Sequence, residues 1–176
     1  MRKAFSLIEL LIVVVIIGVV YSLAVGNFEN IAKPQNQKVT LQNLKNFMTQ
    51  ISYEKDIKLL CLNDGRSCEL FIDGLPADGF EKTFENLLDN TLEIYWYDPV
   101  AGMTEYKNEL YFDKNGVEQR VCFSYKIDKN GVGEQIVVLF KEKVYDFSAY
   151  TDVVAVYNSL GDFLQAKEEL YSKVLR

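Results

Sequence analysis

The chain contains no histidine. That absence excludes a Ser/His/acid triad, a Cys/His nucleophile pair and the common histidine metal sites in their usual forms. Phosphate chemistry is missing too, because no glycine-rich loop runs into a lysine followed by a hydroxyl residue. Cations are in the minority, with 19 Lys and Arg against 25 Asp and Glu and a formal charge of −6. Nucleic acid demands a concentrated cationic footprint, so this balance argues against a nucleic-acid partner. Lys126, Lys129, Lys141 and Lys143 form one local basic group, but Glu134 and Glu142 stand among them. Tryptophan occurs once against eleven tyrosines and eleven phenylalanines, and core and cross-strand pairing account for these rings more simply than ligand binding does. The expectation is a structural protein that is not an enzyme.

What the chain does have is concentrated at its start. Arg2-Lys3-Ala4-Phe5-Ser6-Leu7-Ile8-Glu9 leads into an uncharged stretch from Leu10 to Phe28. As a helix that stretch would be roughly 28 Å long, close to the ~30 Å hydrocarbon core of a bilayer. Glu9 is the anomaly, since a carboxylate among apolar residues costs several kcal/mol unless it is paired or protonated. Three readings compete. Arg2 and Lys3 with Leu10 to Val20 and Ser22-Leu23-Ala24 have the form of a cleaved secretory signal, though a minimal one. A single-pass anchor is the second reading, and it gives Glu9 no use. The third makes Phe5 a new N-terminus by cutting after Ala4, which removes both basic residues and exposes an α-amine near Glu9. The formal side-chain charge then becomes 17 − 25 = −8.

The run from Arg2 to Val14 resembles the processing and methylation motif of type IV pilins and type II secretion pseudopilins, closely over residues 2 to 28 and beyond that only in layout. The resemblance implies cleavage at Ala4-Phe5 by a prepilin peptidase, N-methylation of Phe5 by the same enzyme, and an assembly role for Glu9. Ala4 stands where the family usually has Gly, and Ser6 where Thr is common. Other implied partners are pilin or pseudopilin subunits, an inner-membrane assembly platform, and the lipid bilayer before assembly. The implied location is the bacterial inner membrane, single-pass with the C-terminal domain in the periplasm, and the filament after assembly. Some major pseudopilins hold calcium in an acidic C-terminal loop. Asp146, Asp152 and Asp162 do not make a compact ligand run of that kind, so no cofactor is expected, with calcium the alternative. An amine and a carboxylate 4 Å apart attract by about 4 kcal/mol at an effective dielectric of 20. Glu9 paired with a neighbour's amine would therefore act as a register key between helices.

Residues 1–4 read as a leader, 5–28 as a transmembrane or filament-core helix, 29–60 as its amphipathic continuation, and 61–176 as a periplasmic globular domain. Pro34 predicts a bend near residues 31 to 35. From Val39 to Leu60, Leu41, Leu44, Met48 and Ile51 recur at helical spacing, with Gln42, Asn43, Lys45, Asn46 and Gln50 on a wet face. Gly65, Gly74, Pro76 and Gly79 mark a loop insertion over 61 to 79, followed by a short helix from Phe80 to Leu88. Strands are expected at 92–97, 109–112, 117–127, 135–140, 143–147 and 153–157. Asp113-Lys114-Asn115-Gly116 and Asp128-Lys129-Asn130-Gly131 read as tight hairpins. A last helix, Phe163 to Val174, uses Phe163, Leu164, Leu170 and Leu175 as its apolar contacts. The fold class is α+β, a long N-terminal hydrophobic helix continuing into an amphipathic helix packed on an antiparallel sheet.

Six residues lie between Cys61 and Cys68, a spacing that can close a small loop by a disulfide. A bridge from either to Cys122, or no bridge, remains open. The function expected is a structural subunit, a minor pilin or pseudopilin, of an envelope-spanning machine for type II protein secretion, type IV pilus assembly or DNA uptake. The alternative is a membrane-anchored periplasmic binding module tethered by its single helix.

Overall fold

The computed structural model describes residues 7–31, 38–107, 109–113, 115–149 and 151–174. The chain divides into two compact units, Met1–Asn36 and Gln37–Arg176.

The first unit contains helix α1, Leu7–Ile31. Among the described residues no helix is long and apolar enough to cross a membrane. This overturns the single-pass inner-membrane placement expected from the apolar run. The apolar run of α1 is headed by Glu9 in its first turn. Asn27, Glu29 and Asn30 occupy its last turns. Pro34 and the bend expected there lie outside the described residues.

The second unit runs α2 (Leu41–Thr49), β1 (Asp56–Leu62), β2 (Ser67–Ile72), β3 (Leu75–Pro76), β4 (Glu93–Asp98), β5 (Gly102–Glu105), β6 (Leu110–Phe112), β7 (Glu118–Asp128), β8 (Ile136–Phe140), β9 (Lys143–Phe147), β10 (Ala155–Tyr157) and α3 (Leu160–Val174). It is α+β, with helices packed on antiparallel strands. Instead of one sheet there are two, ordered β3-β2-β1-β7-β6 and β10-β9-β8-β4-β5. They share a core with α2: Leu44 and Met48 meet Ile57, Leu59 and Cys61 of β1, Phe123, Tyr125 and Ile127 of β7, and Ile136 and Val138 of β8. The other face of β8 gives Val137 to a second cluster with Val144 and Phe163. Burial on both faces is why β8 reads as an unbroken apolar run.

Helix α2 is shorter than the periodicity suggests. Beyond Ile51 the apolar spacing drops to two at Ile57, Leu59 and Cys61, which is strand periodicity, so the expected helix ends early and the boundary at 60/61 falls inside β1. Asp73 secures the entry to β1, accepting from the backbone N–H of Glu54 (3.1 Å), Lys55 (2.6 Å) and Asp56 (3.2 Å). These bonds hold its carboxyl below the usual range. The expected loop insertion over 61 to 79 contains the end of β1 and the strands β2 and β3, joined by turns. The expected helix from Phe80 to Leu88 is a series of turns: Asn86 adopts φ 54°, and its N–H bonds the Arg66 carbonyl, which breaks the helical ladder.

The two Asp-Lys-Asn-Gly turns close hairpins by a route other than positive φ at both central residues. Asp113 Oδ1 accepts from the N–H of Asn115 and Val117, each at 2.9 Å, and Asp128 Oδ1 does the same for Asn130 (2.8 Å) and Val132 (2.9 Å). Among the described residues of these turns positive φ falls only on the glycines, Gly116 at 75° and Gly131 at 79°, the geometry of a turn with a glycine bulge. Turns with two left-handed residues lie between β2 and β3, at Asp73 (φ 54°) and Gly74 (83°), and between β8 and β9, where Phe140 pairs with Lys143 and the intervening Lys141 and Glu142 have φ 50° and 62°. Neither the Lys141 nor the Glu142 side chain suits that conformation, which costs roughly 1–2 kcal/mol per residue. Replacing the pair with Asn-Gly (Lys141→Asn, Glu142→Gly) is expected to stabilise the domain by about 1 kcal/mol or more, read as a higher urea midpoint with an unchanged slope. The exposed Lys141–Asp89 ion pair that is lost offsets at most about 1 kcal/mol.

Candidate functional site

Of the residues singled out for processing and assembly, Ala4 and Phe5 lie outside the described residues. Glu9 is in the first turn of α1, where a carboxylate faces the positive end of the helix dipole. The residues that follow are mostly β-branched and form helix poorly in water. Relative exposure of the large apolar side chains from Leu7 to Val20 runs from 83% to 48%, so over those described residues the helix has no covered stripe. A helix apolar on every side is ordinarily a buried one. Its surface therefore calls for a surrounding of its own chemistry, with Glu9 the acid set into it.

The second unit brings its charged candidates into pairs. Lys126 meets Asp56 at 3.1 Å and Lys141 meets Asp89 at 3.5 Å, so the basic group seen in the sequence is partly neutralised. Lys58 is bonded to Glu109. Asp146 is buried against Lys167 of α3 at 2.6 Å, with the Lys167 ammonium also over the Tyr97 and Phe163 rings. Asp162 lies in the first turn of α3, its N–H bonded to Ser159 Oγ at 3.1 Å. Among the described residues no three His, Cys, Asp or Glu are grouped to hold a metal ion.

Two features escaped the sequence. Lys45, placed there on the wet face of its helix, is buried, and its Nζ donates to the carbonyls of Ser148 (2.9 Å) and Ala149 (3.1 Å). Burial lowers its pKa, and Asp152 opposes that shift. Helical spacing places a residue on a face, but only the fold reveals that carbonyls wait there. The second is the position of Cys122. Cys61 and Cys68 are direct partners across β1 and β2, with Cα atoms 4.0 Å apart, and form a disulfide, while Cys122 is free.

Residues 1–25 match the family model for the prokaryotic N-terminal methylation motif. No curated protein and no solved structure matches the chain. The motif and the helix it heads agree: the chain carries the N-terminal prepilin-type methylation motif of the type IV pilins and pseudopilins.

Proposed function

We propose that this protein is a structural subunit of a filament machine for type II protein secretion, type IV pilus assembly or DNA uptake, built in through its N-terminal helix. The observation that carries the reading is the methylation motif at the head of a helix whose large apolar side chains from Leu7 to Val20 are all exposed. Prepilin peptidase cuts between Ala4 and Phe5 and methylates the new amine. Helices of neighbouring subunits then supply the apolar surroundings that α1 needs, and the amine of one subunit pairs with Glu9 of the next. The β2–β3 hairpin and α3 favour a minor subunit over one repeated along the whole filament. Mass spectrometry of the mature chain from cells with the peptidase is expected to find Phe5 first and methylated. An intact Met1, or a start at Val25, defeats the proposal.

A further inference from the structure

The three sulfurs converge on one turn. Along β1 and β7, Cys61 pairs with Phe123 and Leu62 with Val121, so Cys122 is the extra residue of a β-bulge. Its Sγ donates to the Cys61 carbonyl oxygen at 3.2 Å. The same sulfur lies 3.4 Å from where a Cβ on Gly65 would stand, and Cys68 Sγ lies 3.7 Å from the Gly65 oxygen. Gly65 belongs to the turn that the Cys61–Cys68 bridge closes. Adjacent strands lie ~4.8 Å apart and a disulfide spans Cα separations of ~4.4–6.8 Å, so the spacing of neighbouring strands falls in the range that a disulfide bridges.

We propose that Cys122 is an internal exchange partner for the Cys61–Cys68 disulfide, able to move the crosslink to Cys61–Cys122 and release Cys68. The Cys122 thiol gives up its proton, and the thiolate attacks Cys61 Sγ. The Cys61–Cys68 bond breaks, and Cys68 leaves as a thiolate that takes up a proton. One disulfide and one thiol remain throughout, so no oxidant or reductant is consumed. The crosslink shifts from a local hairpin to residues 61 apart in the chain, joining neighbouring strands within the first sheet. Cys68 then becomes a free thiol in the wall of a cleft of about 470 Å³ that also contains Glu69, Pro76 and Tyr111. The exchange is a redox-neutral switch in how firmly the β2–β3 edge is held.

Burial pushes the Cys122 thiol up, as does Asp64, while Arg120 and nearby backbone N–H groups pull it down. Exchange therefore runs slowly near neutral pH and accelerates with alkali, because the thiolate fraction below the pKa rises about tenfold per pH unit. The test is non-reducing peptide mapping of the full chain, incubated at pH 6.5, 7.5 and 8.5 and quenched with acid before alkylation. The expected result is a Cys61–Cys122 peptide accompanied by alkylated Cys68, with a formation rate that rises about tenfold per pH unit. Label on Cys122 alone at every pH overturns the proposal, as does a Cys68–Cys122 or intermolecular bridge. The Cys68→Ser variant, exposed to oxidised glutathione, is expected to form Cys61–Cys122 within one chain. Should that variant not fold, the wild-type mapping decides.

Discussion

The Glu9→Ala chain is expected to be processed normally and yet to be depleted about 100-fold from the sheared filament fraction, measured by quantitative immunoblot against total processed subunit. A full amine–carboxylate contact at 4 Å and effective dielectric 20 is worth about 4 kcal/mol, and partial desolvation leaves a loss nearer two decades. The competing account is local: a carboxylate in the first turn of α1 interacts with the helix dipole. That interaction amounts to roughly 0.3–1 kcal/mol, too little for a 100-fold change. Glu9→Gln keeps size and removes charge, so it should behave like Glu9→Ala if charge pairing sets the register. Undiminished incorporation of both variants would sink the register role of Glu9 while leaving the processing prediction intact.

Gly133→Ala is expected to destabilise the globular unit by about 3 kcal/mol, which for a domain of this size lowers the melting temperature by roughly 10 °C. Positive φ is not the reason, since Gly133 is not among the left-handed residues. The reason is contact. A Cβ there would overlap the hydroxyl oxygen of Tyr125, lie 3.0 Å from its Cζ and stand 3.3 Å from Lys45 Cε. Tyr125 and Lys45 are both buried, and Lys45 is held by two carbonyls, so neither can yield cheaply. Tyr125→Phe removes the worst overlap, and its hydroxyl has no hydrogen-bond partner among the described residues. The double variant should therefore recover at least about 1 kcal/mol over additivity in urea unfolding. Strict additivity would mean that the overlap with Tyr125 is not what Gly133 avoids.

These two sites differ in how readable they were. Glu9 stands out in the sequence because a lone acid among apolar residues violates the pattern around it, and such violations mark function. Gly133 follows a turn glycine and looks like part of the same loop; its importance lies in a tyrosine hydroxyl that arrives from β7. Lys45 is the same lesson in reverse, a polar residue on a polar-looking face that carbonyls more than 100 positions away draw into the interior. The turns make the point at the backbone. Asn-Gly marks hairpins correctly at 113–116 and 128–131, but an Asp side chain sets their geometry, and one of the turns with two left-handed residues falls on Lys141-Glu142, which carries no turn signal.

By itself the sequence determined the methylation motif, the absence of histidine-based chemistry, the α+β class and most of the strands, because composition, spacing and the period of apolar residues are local properties. Tertiary structure alone decided that α2 gives way early to β1, that the strands divide into two sheets, that residues 80–88 form turns, and that Cys122 bulges against a disulfide. Each depends on partners distant in the chain: an Arg66 carbonyl for Asn86, β7 for β1, Ser148 for Lys45. Local propensity differs between alternatives by less than the cost of leaving such buried groups unsatisfied, so the distant partner prevails.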